Sequence, residues 1–331
     1  MAYTDIDDPS AYFQTALFTG NAGTNAITNT GNSDLQPDWV WFKCRSAAEH
    51  HGLFDSVRGV TKVVYSNLNN AEDNLADSLA SFNSNGFTMG ADTGSGGAFN
   101  GNTKTMVAWQ WKETATAGFD IVSYSGNNST NRQISHSLSA KPDMMLVKCR
   151  QAGLWKIYHS SLGATKYLVL SDTAGVVDNN STWNDTEPTS SNFTLGDDGN
   201  VNETGETYIN YLFAEKQGYS KFGSYVGNGN ADGTFVYTGF KPSFVMVKST
   251  GGESNWQMSD NKRNTFNEVN KHLRANSSGA EFTNYPIDFL SNGFKLRATD
   301  TDTNGSGTTY IYAAFAENPF TTSTGVPATA R

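Results

Sequence analysis

The chain has 331 residues, of which 17% are charged, and its formal net charge is −9. Hydrophobic residues reach 37% and aromatic residues 12%, which is too much core-forming material for intrinsic disorder. Contact with nucleic-acid phosphates needs clustered Lys and Arg, so this acidic balance argues against a nucleic-acid partner. The apolar runs stop far short of the roughly 20 residues that a transmembrane helix needs, so we expect no membrane insertion.

The first ten residues carry neither the basic nor the apolar region of a secretory signal. We therefore expect a protein that is made and assembled in a cytosol. Residues 1–10 are assigned as an N-terminal segment that precedes the first folded unit.

A proline-led heptapeptide occurs three times, at offsets of 105 and 100 residues. An aromatic residue with a Gly-Asn pair precedes each occurrence, and a Phe-centred strand and an aromatic closing strand follow it. Because four landmarks recur in the same order at nearly constant spacing, the chain is predicted to contain three copies of one unit. The heptapeptides are Pro37–Lys43, Pro142–Lys148 and Pro242–Lys248, and the copies are assigned to 11–115, 116–218 and 219–320, with 321–331 as a C-terminal tail.

Within a copy, the heptapeptide strand is apolar on both faces, which is typical of a strand buried inside a sheet arrangement. The closing strand alternates with period two, and we expect its Trp109 and Trp111 face to pack inside the first unit. About seven short strands with Gly, Asn and Asp turns predict an all-β protein of three tandem β-sandwich repeats, jelly-roll-like or immunoglobulin-like. Units of about 100 residues can each own a core, which favours separate beads. Spacing compatible with short helices occurs at Ala71–Phe82 and Asn264–Ala275.

The two cysteines, Cys44 and Cys149, occupy matching positions in the first two copies, each between Lys and Arg. Matching positions of two separate units lie in different cores, so a disulfide between them is not expected. We interpret both as buried small hydrophobic residues rather than a bridged pair.

Catalytic motifs are scarce. None of the five histidines lies four residues from another, as a helical zinc-protease site would require. The sharpest catalytic candidate is Glu49-His50-His51, but it occurs only in the first copy, and a solvated turn is the favoured interpretation. We expect no catalytic residue, no cofactor-binding residue and no enzymatic activity.

The segment Asp300–Gly305 matches the first half of a calcium-binding loop. Its twelfth position, where a bidentate Glu belongs, is Ile311. A hairpin turn explains the segment without a metal ion, so we expect no metal site.

The landmarks also resemble a family of uncharacterised structural proteins of tailed bacteriophages. The match covers nearly the whole chain and is strongest in the first copy. The third copy departs from the pattern, with Ser243 in place of Asp and Asn261–Asn264 where the first copy has Asp55–Arg58. The residues that carry the resemblance are Phe18–Asn21, Gln36–Lys43, Asp55–Gly59, Ser84–Gly90, Val107–Lys112, Phe315–Phe320 and Pro327–Arg331.

The resemblance implies a non-enzymatic virion surface protein, of the capsid-decoration, head-fibre or tail-fibre type, assembled in the bacterial cytoplasm. Expected partners are other virion proteins and further copies of the chain in a homotrimer, with adhesion to a host surface glycan as an additional role. The loops Asn127–Thr130 and Asn228–Gly233 offer neutral hydrogen-bonding groups for such contacts. A carbohydrate-binding receptor-recognition protein and a glycan hydrolase remain the alternatives, and head or tail location stays open.

Overall fold

The computed structural model describes residues 4–328, and its regular structure is almost entirely β-strand. The prediction of an all-β protein is confirmed. Two single-turn helices, α1 (Asn180–Trp183) and α2 (Gly199–Asn202), interrupt the second copy, and a 3-10 turn spans Pro9–Ala11. Over residues 4–328, no helix is long and apolar enough to cross a bilayer.

Twenty-five strands follow one another along residues 4–328. The first copy contains β1 (Phe13–Thr19), β2 (Asn25–Ile27), β3 (Trp39–Cys44), β4 (Gly52–Asp55), β5 (Lys62–Val63), β6 (Asp73–Asn74), β7 (Leu79–Asn83), β8 (Gly86–Met89) and β9 (Thr105–Trp111). The second contains β10 (Phe119–Ser125), β11 (Arg132–Ser135), β12 (Met144–Cys149), β13 (Trp155–His159), β14 (Lys166–Val169), β15 (Val177–Asp178), β16 (Asn192–Leu195) and β17 (Thr207–Phe213). The third contains β18 (Ser220–Val226), β19 (Phe235–Tyr237), β20 (Phe240–Ser249), β21 (Gln257–Asp260), β22 (Val269–Arg274), β23 (Phe282–Leu290), β24 (Gly293–Leu296) and β25 (Thr309–Pro319).

The same antiparallel strand order recurs in all three copies. The orders are β1-β9-β3-β4, β10-β17-β12-β13 and β18-β25-β20-β21, so the closing strand always lies between the first strand and the heptapeptide strand. A second pairing also recurs, as β2-β8, β11-β16 and β19-β24. The sequence copies therefore share their strand topology.

Residue register agrees with the sequence alignment of the copies. The residue two places after the landmark proline pairs with the last aromatic residue of the closing strand in every copy. These pairs are Trp39 with Trp111, Met144 with Phe213, and Phe244 with Phe315. Trp39, Met144 and Phe244 are therefore equivalent positions, as the spacing predicts.

Each copy has an apolar cluster of its own on one face of its main sheet. Val40 and Phe42 belong to this cluster in the first copy, and Met145 and Val147 belong to it in the second. Val245 has the same place in the third copy. One face of each heptapeptide strand is thus buried within its own copy.

The opposite faces of the three main sheets meet in one shared core. Trp111, Phe213 and Phe315, one from each copy, form a triangle whose ring centroids are 6.3, 5.5 and 5.5 Å apart. Trp109 also lies in this core. The expectations that this tryptophan face packs inside the first unit and that the copies are separate beads are therefore wrong. Alternation along a strand shows that a face is buried, but it does not show which neighbour buries it.

The two segments with helix-compatible spacing are not helical. Residues 71–82 contain β6 and most of β7, while residues 264–275 contain β22. β22 is hydrogen-bonded between β21 and β23. Pairing with neighbouring strands overrides the weak helical periodicity of both segments.

Candidate functional site

The three side chains of the predicted catalytic candidate point to different partners. Glu49 forms an ion pair with Lys104 at 2.6 Å. His50 is exposed, and its Nδ1 lies 2.8 Å from the side-chain amide of Asn67. His51 is fully buried. The structure therefore does not place Glu49, His50 and His51 where all three could contact one substrate.

His51 instead joins the first copy to the third. Its Nδ1 accepts a hydrogen bond of 2.8 Å from Trp41 Nε1, so its Nε2 carries the proton and donates to the Arg274 carbonyl at 3.0 Å. Burial lowers the pKa of His51 well below its ordinary value. The imidazole is therefore neutral, with a tautomer fixed by its two partners.

The same contact recurs around the molecule in cyclic order. Trp155 and Trp256 occupy the position of His51 in the other two copies, two residues before Ile157 and Met258 in equivalent register. Trp155 Nε1 donates to the Tyr65 carbonyl at 2.9 Å, and Trp256 Nε1 donates to the Val169 carbonyl at 2.8 Å. The first copy thus bonds to the third, the second to the first and the third to the second, which closes a ring of three.

A chain of buried charges connects the first copy to the second. Arg58 Nε lies 2.6 Å from Asp55, and both side chains are fully buried. Glu72 joins Arg58 at 3.1 Å to Arg150 of the second copy at 2.9 Å. Burial alone would raise the pKa of Glu72, but the two guanidinium groups hold it below its ordinary value. Tyr211 of the second copy completes the chain by donating to Asp55 at 2.7 Å.

An equivalent chain connects the third copy to the first. Arg263 contacts Asp260 and Glu281, and Glu281 accepts two hydrogen bonds from Arg45 at 2.9 and 3.0 Å. Trp109 Nε1 donates to Asp260 at 3.1 Å, in the place of the Tyr211 hydroxyl. The Asp-x-x-Arg spacing of the first copy is therefore kept in the third, and the sequence comparison at Asn261–Asn264 was displaced by one residue.

The remaining contact, between the second and third copies, has neutral residues in place of the Asp-Arg pair. His159 and Leu162 stand where the other copies carry Asp and Arg, and burial lowers the pKa of His159 to about 4. Val176 N donates to the Thr250 carbonyl at 3.0 Å. Glu72 N and Glu281 N make the same backbone bond to the arginine carbonyls of the charged contacts, at 2.8 and 2.9 Å. The backbone geometry is thus common to all three contacts, while the side-chain chemistry differs.

The Gly-Asn landmark packs against a buried asparagine that the sequence analysis missed. In the second copy, a Cβ on Gly126 would lie 2.0 Å from the Glu203 carbonyl oxygen, so this position admits only glycine. The buried Asn202 amide donates to the Ser129 and Gly196 carbonyls, and its oxygen accepts from Asn127 N. The equivalent residues are Asn100, Asn202 and Asn304, and their constant spacing of 102 was the available signal.

The three Gly-Asn turns lie at the same end of the molecule. Equivalent residues of the three copies come together at two heights along the core. One is the triangle of aromatic rings, and the other is the ring of hydrogen bonds from His51, Trp155 and Trp256 to backbone carbonyls. Equivalent strands of the three copies therefore run in the same direction around the core. Asn127–Thr130 is exposed throughout, and most of Asn228–Gly233 is exposed. Part of their hydrogen-bonding capacity shapes the turns, since Asn127 and Asn228 side chains accept from the backbone two residues on.

Neither the calcium-like segment nor the cysteines forms a reactive cluster. The Asp300 carboxylate accepts bonds of 2.9 and 2.8 Å from the backbone and hydroxyl of Thr303, which closes a turn. Throughout residues 4–328, no group of three or more His, Cys, Asp or Glu side chains is placed to hold a metal ion. Cys44 and Cys149 are buried and unpaired in the separate clusters of the first two copies, as predicted.

Two carboxyl groups meet where the first copy joins the second. Burial and a hydrogen bond with Asp120 raise the pKa of Glu113 to about 7. Asp38 accepts from Glu113 N at 2.8 Å, and Asp143 accepts from Glu215 N in the same way at the next join. Between the second and third copies, however, the glutamate lies beside a cation, because Lys221 is 2.6 Å from Glu215. The two linkers therefore have the same backbone arrangement, but the first brings two carboxyl groups together and the second forms an ion pair.

Comparison with known proteins identifies a family but no characterised relative. No curated protein and no solved structure matches the chain significantly. A family model described as "Domain of unknown function (DUF7483)" matches residues 8–319, which covers all three copies. The chain belongs to that family, the domain of unknown function DUF7483.

Proposed function

We propose that the protein is a non-enzymatic structural component of the surface of a tailed-bacteriophage virion, built from three β-sandwich repeats. It attaches to other virion proteins after assembly in the bacterial cytoplasm. The single observation that carries the proposal is where the buried ionisable groups lie. Asp55, Arg58, Glu72 and their counterparts join one copy to another instead of converging in an open cleft.

Buried charges are costly to desolvate, and breaking one pair leaves the other charge uncompensated. Placed between copies, such pairs favour one relative arrangement of the three sheets over others. A rigid body of this kind suits an appendage that must keep its shape on a particle. The resemblance to virion structural proteins supplies the location, and it leaves head and tail as equal options.

Attachment through the exposed Gly-Asn loops fits this role. The three loops share one end, so a partner there meets similar turns from every copy. Asn127–Thr130 presents neutral donors and acceptors, which form hydrogen bonds without the cost of desolvating an ion.

The proposed homotrimer is supported by free strand edges rather than by exposed apolar sheet faces. The main sheets cover one another's apolar faces within a single chain, so trimer formation is not required to bury them. Self-association would use the loop end or the free edges of strands such as β19. Sedimentation of the purified protein at high concentration tests this part of the proposal, and a monomer would contradict it.

Mass spectrometry of gradient-purified virions, together with antibody labelling, tests the proposed location. We expect the protein in stoichiometric amounts on intact particles, and we expect its removal to change particle stability or adsorption to cells. Absence from purified particles would refute the proposal. Hydrolysis of a host polysaccharide by the purified protein, with adsorption unchanged after its removal, would favour the hydrolase alternative.

A further inference from the structure

Exposed aromatic side chains concentrate in one part of the molecule. Over residues 4–328, the aromatic side chains among the exposed large hydrophobic residues all lie in the third copy, the last at its carboxyl end. These are Phe235, Tyr237, Phe266 and Phe320, with exposed fractions of 44, 58, 77 and 39%. All seven tryptophans, by contrast, are buried.

The other two copies show that the fold does not need an aromatic residue at Tyr237. Val236 pairs with Phe294 in the third copy, and Ile27 and Ile134 make the same pair in the first and second. The residue that follows is Thr28 in the first copy and Ser135 in the second. The exposed ring of Tyr237 is therefore a feature of the third copy alone, added to a strand that forms equally well with a small polar residue.

Tyr237 and Phe320 line a cleft of about 330 Å³. The cleft lies where the second copy joins the third, because Glu215 and Gln217 between β17 and β18 also line it. This volume is at the lower end of the range for small-molecule sites. Phe235 lies two residues before Tyr237 on the same face of β19 and extends the aromatic surface beyond the cleft.

The charges of the cleft favour a neutral ligand. Lys221 and Glu215, 2.6 Å apart and each about one-third exposed, compensate each other. An anionic ligand would have to compete with Glu215 for the ammonium group, and it would approach a protein whose formal net charge is −9. Hydroxyl groups, in contrast, can donate to the Glu215 carboxylate and accept from Lys221 without separating the pair.

We propose that this cleft binds a neutral saccharide. A sugar ring has a face of C–H groups, which packs on an aromatic ring, and a rim of hydroxyl groups, which needs donors and acceptors at its side. Tyr237 and Phe320 supply the aromatic surface, while Glu215, Lys221 and the Gln217 amide supply the polar rim. Saccharide binding would be a property of the isolated protein, and it does not require that the protein be part of a virion.

Binding is tested with the full-length protein and neutral hexose hexasaccharides, one α-linked and one β-linked, with a hyaluronan hexasaccharide as the anionic probe. The variant Tyr237→Ser introduces the residue of the second copy, and Phe266→Ser removes an exposed ring outside the cleft. Substitution of exposed residues usually changes stability little, so both variants are expected to fold, and their melting temperatures check this. Titration calorimetry and saturation-transfer NMR are the measurements.

We expect a neutral hexasaccharide to bind with millimolar or better affinity, Tyr237→Ser to weaken binding at least about tenfold, and Phe266→Ser to leave it unchanged. A tenfold loss corresponds to about 1.4 kcal/mol. No binding by either neutral probe, preference for the anionic probe, or equal loss in both variants would overturn the proposal. Self-association that Tyr237→Ser abolishes, without saccharide binding, would overturn it by identifying the patch as a contact between chains.

Discussion

Replacing Trp111 by alanine removes one of the three rings that meet where the copies converge. Its side chain is 2% exposed, and its ring centroid lies 4.5 Å from Trp39 and 5.5 Å from Phe315. Truncation of a buried Trp to Ala typically costs about 3–5 kcal/mol. Trp111 Nε1 is buried without a hydrogen-bond partner among residues 4–328, so losing it offsets part of that cost. We therefore expect a loss of about 3 kcal/mol.

The variant Trp111→Phe is the matched control. Phe213 and Phe315 already occupy the equivalent positions, so phenylalanine is compatible with this layer of the core. It keeps a ring in the triangle and removes the unpaired N–H. We expect its unfolding free energy to lie within about 1.5 kcal/mol of that of the parent protein.

Guanidinium unfolding measures the size of the effect, and native-state hydrogen exchange shows where it acts. Because the core is shared, Trp111→Ala should reduce amide protection in strands of all three copies. Separate beads would confine the loss to residues 11–115. That confinement, or an unfolding free energy unchanged within about 0.5 kcal/mol, would refute the shared-core reasoning.

Three further predictions concern single positions. Arg58→Leu, which introduces the residue type of the second copy, should cost about 3–5 kcal/mol because it leaves the buried Asp55 carboxylate without its guanidinium partner; an unfolding free energy close to that of the parent protein in denaturant titration would contradict this. Gly126→Ala should destabilise by about 1–3 kcal/mol because its Cβ would meet a backbone carbonyl, whereas Gly251→Ala, with open space around it, should be nearly neutral; similar melting temperatures would contradict this. The folded pKa of Glu113, about 7, lies above its ordinary value, so the folded state binds the proton more tightly and this contribution to stability is present below about pH 4.5 and lost as pH rises through 7. Glu113→Gln should remove that part of the pH dependence, and stability curves that stay parallel from pH 4.5 to 8 would count against it.

Much of the local structure was readable from the residues. The recurring heptapeptide predicted the equivalence of Trp39, Met144 and Phe244, and its apolar faces predicted that the strand is buried on both sides. Turn residues and short alternating segments indicated an all-β protein. These features depend on neighbours in sequence and on pleat periodicity, which the chain carries explicitly.

The contacts of the candidate site were harder to predict from the sequence, because the residues that contact one another are distant in the chain. The sequence favours a solvated turn at Glu49-His50-His51, yet the ring of His51 is buried and enclosed by Trp41 and by the carbonyl of Arg274, 223 residues away. The buried Asn202 was visible as a repeat at constant spacing, but its contact with the Gly-Asn turn was not. Only the folded structure shows which polar groups form hydrogen bonds and ion pairs between the copies.

The sequence by itself determined that the chain is all-β, that one unit recurs three times, and which positions are apolar. Only the tertiary structure decided that Trp111 and its two equivalent rings meet. It also decided that networks of buried ion pairs connect the first copy to the second and the third copy to the first. The physical reason is that burial of apolar surface is favourable whatever covers it, so a pattern of apolar residues specifies that a face leaves water without specifying its neighbour. The neighbour is set by the packing of three sheets whose equivalent strands lie about 100 residues apart in the chain. That packing exists only once the three sheets have closed around their common core.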